Sequence, residues 1–129
     1  MFKYLTIALS LALAGPALGH SDSKFMKGPN GGHVVDAGGG KQHWELVAKG
    51  GDVILFVTDK DEKPINITAG TAEAQILIAG KNYTVPLAPA GANTLKGTGA
   101  FVATKGMRVI IKTTAIGGES FQARLTPLQ

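Results

Sequence analysis

The 129-residue chain contains no cysteine. That absence excludes disulfides, thiolate nucleophiles, cysteine-type zinc sites, iron–sulfur clusters and lipid attachment at a cysteine. Aromatic residues are few, with five Phe, two Tyr and one Trp against eighteen Gly. Small ring content and abundant glycine indicate a modest core with many tight turns, hence short strands rather than long helices. The basic excess is only +4, and no Lys/Arg cluster or aromatic–basic stripe occurs, so a nucleic-acid-binding surface is not expected. The length fits one domain and excludes a multi-domain enzyme. Ser21, Ser23 and Ser120 lie in no nucleophile-elbow motif, and no glycine-rich loop opens a helix to cradle phosphate, so the chain is not expected to be an enzyme.

What is present begins with an export signal. Met1-Phe2-Lys3 gives a positive start, and residues 4–14 form an apolar run too short to span a bilayer. Ala17 and Gly19 flank Leu18 in the small-x-small pattern read by signal peptidase, which makes His20 the expected first residue of the mature protein. An uncleaved anchor is the competing reading, but Gly15 and Pro16 break the run and no second apolar stretch follows, so no membrane span is expected in the mature chain. Cleavage leaves 129 − 19 = 110 residues and, with Lys3 removed, a charge of 12 − 9 = +3. An exported chain without cysteine fits the bacterial periplasm. The organisation is then residues 1–19 as signal peptide, 20–32 as a polar N-terminal arm and 33–129 as a β-sandwich domain.

In the mature chain, apolar runs of four to eight residues recur between turn residues with no sustained helical period. This predicts an all-β, immunoglobulin-like antiparallel sandwich of about seven to nine short strands. Strands are expected near 33–36, 43–48, 53–58, 64–68, 73–79, 82–87, 100–103, 107–114 and 120–125. A two-residue turn at Gly50-Gly51 sets Lys49 against Asp52 and places Trp44, Leu46 and Ala48 opposite Val57, Leu55 and Val53. A turn at Gly80-Lys81 pairs Ile78 with Tyr83, Ile76 with Val85 and Ala74 with Leu87. Around Gly117-Gly118 a bulged turn is expected, aligning Ile111 with Leu125 and Thr113 with Ala123. Pro64, Pro86 and Pro89 belong at strand starts, edges or loops. Met107 alternates in phase with Val109 and Ile111 and is expected in the core.

The most distinctive stretch runs from Gly28 to Val47, GPNGGHVVDAGGGKQHWELV. With residues 37–41 as the connecting loop, Asp36 pairs with Gln42, Val35 with His43 and His33 with Glu45. His33, His43 and Glu45 then share one face, and two imidazoles and a carboxylate on adjacent strands suit Zn(II) or Cu(II) with a position left open. The alternative is a sheet face whose His and Glu are merely solvated and hold no ligand. That face also carries Val35, Val47, Ile54 and Phe56, so either the N-terminal arm covers it or it meets another protein. His20, as a free N-terminus, offers an amine and an imidazole that chelate Cu(II) together, with His33 or His43 completing the set. Met26 is a soft thioether donor. The turn Asp59-Lys60-Asp61-Glu62-Lys63 lacks the Gly and distal Glu of a calcium loop and reads as a solvated turn.

Several segments resemble a known group: Gly28-Pro29-Asn30-Gly31-Gly32, Asp36-Ala37-Gly38-Gly39, His43-Trp44-Glu45-Leu46-Val47, Val57-Thr58-Asp59, Lys63-Pro64-Ile65, residues 86–91 and residues 97–101. The first three resemble the His-Gly-Gly segment in the N-terminal periplasmic region of heavy-metal efflux adaptor subunits and in small free-standing periplasmic proteins, and the later four are similar to the free-standing proteins. The resemblance implies an immunoglobulin-like sandwich and a supporting role in metal tolerance. Asn30 stands where that pattern has the histidine before Gly-Gly, and His33 lies just after it.

Two functions follow as expectations. One is an exported periplasmic accessory protein that binds copper or zinc in metal homeostasis or efflux support through His33, His43, Glu45 and His20, without an organic cofactor, beside an envelope or efflux-system partner. The other is a non-catalytic envelope interaction module without a metal site.

Overall fold

A computed structural model describes residues 25–129. The cleavage region and His20 lie outside the described residues. The described chain is all-β and antiparallel, as expected, with eight strands: β1 (His33–Ala37), β2 (Gln42–Lys49), β3 (Asp52–Asp59), β4 (Thr71–Ile78), β5 (Lys81–Pro89), β6 (Thr94–Thr98), β7 (Arg108–Thr114) and β8 (Gln122–Leu125). They follow one hydrogen-bonded order, β1-β2-β3-β6-β5-β4-β7-β8. Strands β4 to β6 form a meander whose ends lie beside β3 and β7, giving two overlapping Greek keys. The join between β5 and β6 is narrow, with only the pairs Ala88↔Lys96 and Pro89↔Leu95.

Alternation builds the core. Trp44 and Leu46 of β2, Val53, Leu55 and Val57 of β3, Ala74 and Ile76 of β4, Val85 and Leu87 of β5, and Val109 and Ile111 of β7 all point inward, each two residues from the next along its strand. Met107 is buried beside them. The β2–β3 hairpin has the expected register, with Lys49↔Asp52, Ala48↔Val53, Leu46↔Leu55 and Trp44↔Val57.

Three other hairpins differ from expectation, each through its turn. The β4–β5 turn is Ala79-Gly80, both at positive φ (48° and 77°), which shifts the register to Ile78↔Lys81, Ile76↔Tyr83 and Ala74↔Val85. A two-residue shift keeps every side chain on its face. At β7–β8 a bulge forms: from Ile111↔Ala123 to Ile116↔Glu119 there are five steps on the β7 arm against four on the other. The extra residue is on the β7 arm, where Ala115 takes φ 56°, so Ile111 meets Ala123 rather than Leu125. At β1–β2 the shift is a single residue, and its consequence is described with the site.

Two expected strands do not form. In 64–68, Pro64 makes one bridge to Thr58, Ile65 N–H donates to the Val57 carbonyl at 3.2 Å and Ile67 N–H to the Ala92 carbonyl at 2.8 Å, so this segment is fastened to the end of β3 and to a loop without forming a continuous ladder. Residues 100–103 run as irregular backbone anchored by Ala103 N–H on the Gly50 carbonyl, with Phe101 buried. The place in the sheet goes instead to β6, whose sequence TLKGT turns one large apolar side chain, Leu95, into the core. Gly97 is required there because a Cβ would overlap the Pro86 carbonyl oxygen.

Candidate functional site

The loop between β1 and β2 contains three consecutive glycines at positive φ, Gly38, Gly39 and Gly40 (61°, 69° and 94°). Such a backbone is available to glycine at little cost, and it closes the connection in four residues, 38–41, so that Ala37 pairs with Gln42. The resulting register is His33↔Leu46, Val34↔Glu45, Val35↔Trp44 and Asp36↔His43. Leu46 and Trp44 are fully buried, so His33 and Val35 belong to the core-facing side, while His43 and Glu45 are on the outer side with Val34 and Asp36. The expected cluster of His33, His43 and Glu45 on one face therefore does not form. Among the described residues no group of three or more His, Cys, Asp or Glu side chains is placed to hold a metal ion.

Each of the three side chains has a different local partner. Glu45 is buried, and its carboxylate accepts three hydrogen bonds: Asn30 N–H and Gly32 N–H to Oε2, each 2.8 Å, and Asn30 Nδ2 to Oε1 at 2.9 Å. The donors come from a small hairpin made by the arm itself. Gly28 N–H donates to the Gly32 carbonyl, Gly31 N–H to the Gly28 carbonyl, and Val34 N–H to the Met26 carbonyl, with Gly31 at φ 79°. This is a turn led by Pro29 and closed by a left-handed glycine, which aims the alternate N–H groups of Asn30 and Gly32 at one carboxylate oxygen. Gly28 and Gly32 are fixed by contact, since a Cβ on Gly28 would overlap the Glu45 carboxyl and one on Gly32 would overlap the Leu46 carbonyl oxygen. The GPNGG stretch is thus a cradle for Glu45, and Asn30 contributes a main-chain and a side-chain donor to it.

His43 Nδ1 donates to Asp36 Oδ1 at 2.7 Å, and its Nε2 lies 3.4 Å from the Lys60 carbonyl. The His43 and Asp36 side chains are 25% and 67% exposed, so this is a solvated pair. His33 Nδ1 accepts the Thr126 N–H at 2.8 Å, and its ring stacks on Phe25 with centroids 4.9 Å apart. The lone pair on Nδ1 is therefore occupied and the ring proton sits on Nε2. Burial lowers the His33 pKa below its ordinary value by disfavouring the imidazolium.

The acidic turn is self-contained. Asp59 Oδ1 accepts Asp61 N–H at 2.8 Å and Lys63 N–H at 3.0 Å, and the Lys63 hydrogen bond leads the effects that hold its carboxyl below the usual range. Buried polar groups elsewhere are also satisfied. Gln42 accepts from Trp44 Nε1 at 3.0 Å and donates to the Ile116 carbonyl at 2.9 Å, and no buried side-chain nitrogen or oxygen among the described residues lacks a partner.

Two open depressions flank these groups. One, about 440 Å³, lies on the outer face beside Glu45 and His43 and is bordered by Met26, Val34, Phe56 and Pro64. Residues 26–32 of the arm thus cover part of that face, and Met26 stays 63% exposed at the rim. The other, about 650 Å³, lies beside His33 and is bordered by Arg108 and Arg124. These arginines were not among the expected site residues. The signal that marks them is alternation: each is out of phase with a buried neighbour, Val109 or Leu125, so each points outward.

No protein-family profile matches the chain, and no curated protein or solved structure is significantly similar to it.

Proposed function

We propose that this chain is an exported, non-catalytic interaction module of the bacterial envelope. The observation that carries the reading is the use of the titratable groups. Glu45 is saturated by three internal donors and His33 by the Thr126 amide, so both are used to build the fold, and His43 beside the outer depression is paired with Asp36. What remains open on the outer face is apolar, a depression bordered by Val34 and Phe56 with Met26 exposed at its rim. An exposed apolar patch with a polar surround suits protein contact.

The test is association measured with EDTA present. Sedimentation or envelope cross-linking of the full chain gives a specific complex that Met26→Asp and Phe56→Asp weaken. Met26→Asp is the decisive variant, because its exposed position leaves folding intact. Unchanged association in Met26→Asp, or association that needs added metal, contradicts the reading.

A second reading, metal binding in support of metal tolerance, rests on the solvated His43–Asp36 pair and on His20. A soft or borderline cation such as Cu(II) or Zn(II) would take His43 Nε2 as its protein ligand there. Stoichiometric binding that His43→Ala removes favours this reading, and its absence disposes of it.

A further inference from the structure

The larger groove has a composition the docking reading does not use. On β7, Arg108 and Ile110 alternate with buried Val109 and Ile111 and so face outward. The registers Ile110↔Arg124 and Leu77↔Arg108 place Arg124 and Leu77 on that same outer surface. Arg108 and Arg124 are thus diagonal neighbours on adjacent strands, about 7–8 Å apart in such an arrangement with the Cβ atoms somewhat nearer, close enough for two long side chains to converge. Phe25 and His33, stacked on each other, also line the groove.

Charge decides the ligand class. No Asp or Glu borders the groove, and neither guanidinium takes part in an ion pair with a described carboxylate. Two cations without an ion-pair partner among the described residues therefore face a space of about 650 Å³, which Gln129 also borders and which is within the size range of small-molecule sites. A guanidinium presents paired N–H donors whose spacing matches a carboxylate. Between and beside the arginines lie hydrocarbon surfaces, with Ile110 half-buried and Leu77 37% exposed. A bare inorganic anion would leave those surfaces in water, whereas an anion with an apolar body covers them.

We propose that this groove binds an organic carboxylate carrying an apolar chain, the two arginines holding the carboxylate and Ile110, Leu77 and Phe25 receiving the chain. The inference is independent of the outer-face docking reading, since it uses other residues on other strands.

Isothermal titration of the full chain with decanoate, below its aggregation concentration, tests it. One-to-one saturable binding is expected, weakening as salt is raised. Decanol, which lacks the carboxylate, binds at least about tenfold more weakly, the factor that corresponds to loss of a charged hydrogen bond, and acetate, which lacks the chain, binds at least about tenfold more weakly because it buries almost no apolar surface. The double variant Arg108→Gln/Arg124→Gln loses decanoate by a similar factor with its circular dichroism unchanged, and Leu77→Asp loses it too. Should the double variant unfold, the single variants Arg108→Gln and Arg124→Gln report the loss separately. Failure of decanoate to saturate, equal binding of decanol, or indifference to the arginine changes overturns the proposal. So does tighter binding of inorganic phosphate or a Glu-rich peptide at the same arginines.

Discussion

Glu45 shows how one buried charge organises the segment before it. A carboxylate on the outer face of β2 would be costly under cover without donors, and the arm supplies three. The three donors and Gly28 answer to that one side chain, whereas Gly32 is fixed by the Leu46 carbonyl, so a double-substitution cycle on Glu45 and Gly28 separates cause from consequence. Glu45→Ala orphans the Asn30 and Gly32 amides and is expected to cost about 2–4 kcal/mol in denaturant unfolding, the scale of hydrogen bonds to a charged group. Gly28→Ala drives a methyl into the Glu45 carboxyl and is expected to cost about 1–3 kcal/mol. In the Glu45→Ala background that second cost should largely vanish, because the obstructing carboxyl is gone. Additive losses would show that Gly28 is needed for some other reason. At this scale the sequence was legible in part. GPNGG stood out as glycine-rich and ordered, but nothing in a linear string shows that the oxygen acceptor for its amides lies thirteen to fifteen residues away.

Strand identity and inward-facing residues follow from alternation, which is why β2, β3, β4, β5 and β7 could be read directly. Register depends on the turn, and turns were the weak point. At β4–β5 the misplacement was two residues and left the core intact. At β1–β2 it was one residue, and one residue moves His33 to the opposite face from His43. The physical cause is that three glycines in left-handed conformation close a four-residue loop, where a five-residue loop was equally compatible with the sequence. Strand β6 escaped notice because it contributes a single inward apolar residue, Leu95. The β4–β5 turn yields a prediction of its own. Ala79 occupies the first central position of a two-residue turn at φ 48°, a conformation that burdens a Cβ-bearing residue and that Asn tolerates best among non-glycines. Ala79→Asn should stabilise the protein by about 0.5–1 kcal/mol, read as a higher unfolding midpoint with an unchanged denaturant slope. A lower midpoint would mean that the Ala79 methyl makes packing contacts that outweigh its strain.

Over the whole molecule, the strand order begins at β1 and ends at β8, and the fold brings these two ends together. Across the seam the Thr126 N–H, just beyond β8, donates to the His33 ring on β1. The bond requires an unprotonated Nδ1, so closure is tied to the neutral imidazole. Burial lowers the folded His33 pKa, and the charged side chains that share its groove, Arg108 and Arg124, are cations that add no attraction for an imidazolium. The linkage has a definite sign. An unfolded histidine titrates near 6.5, so the contribution of His33 is complete above that pH and is lost as pH falls through the lower folded value. Acidification should therefore loosen the β1–β8 seam before the core strands respond. Hydrogen exchange at the Thr126 amide, expressed as protection relative to its intrinsic rate at each pH, should decline below 6.5 while the amides of β3 and β4 stay protected. His33→Gln keeps an oxygen acceptor for Thr126 but cannot take up a proton in this range, so it should flatten the decline. Protection at Thr126 that stays level on acidification, or that falls equally in His33→Gln, would show that the closure of this sheet does not depend on the protonation of position 33.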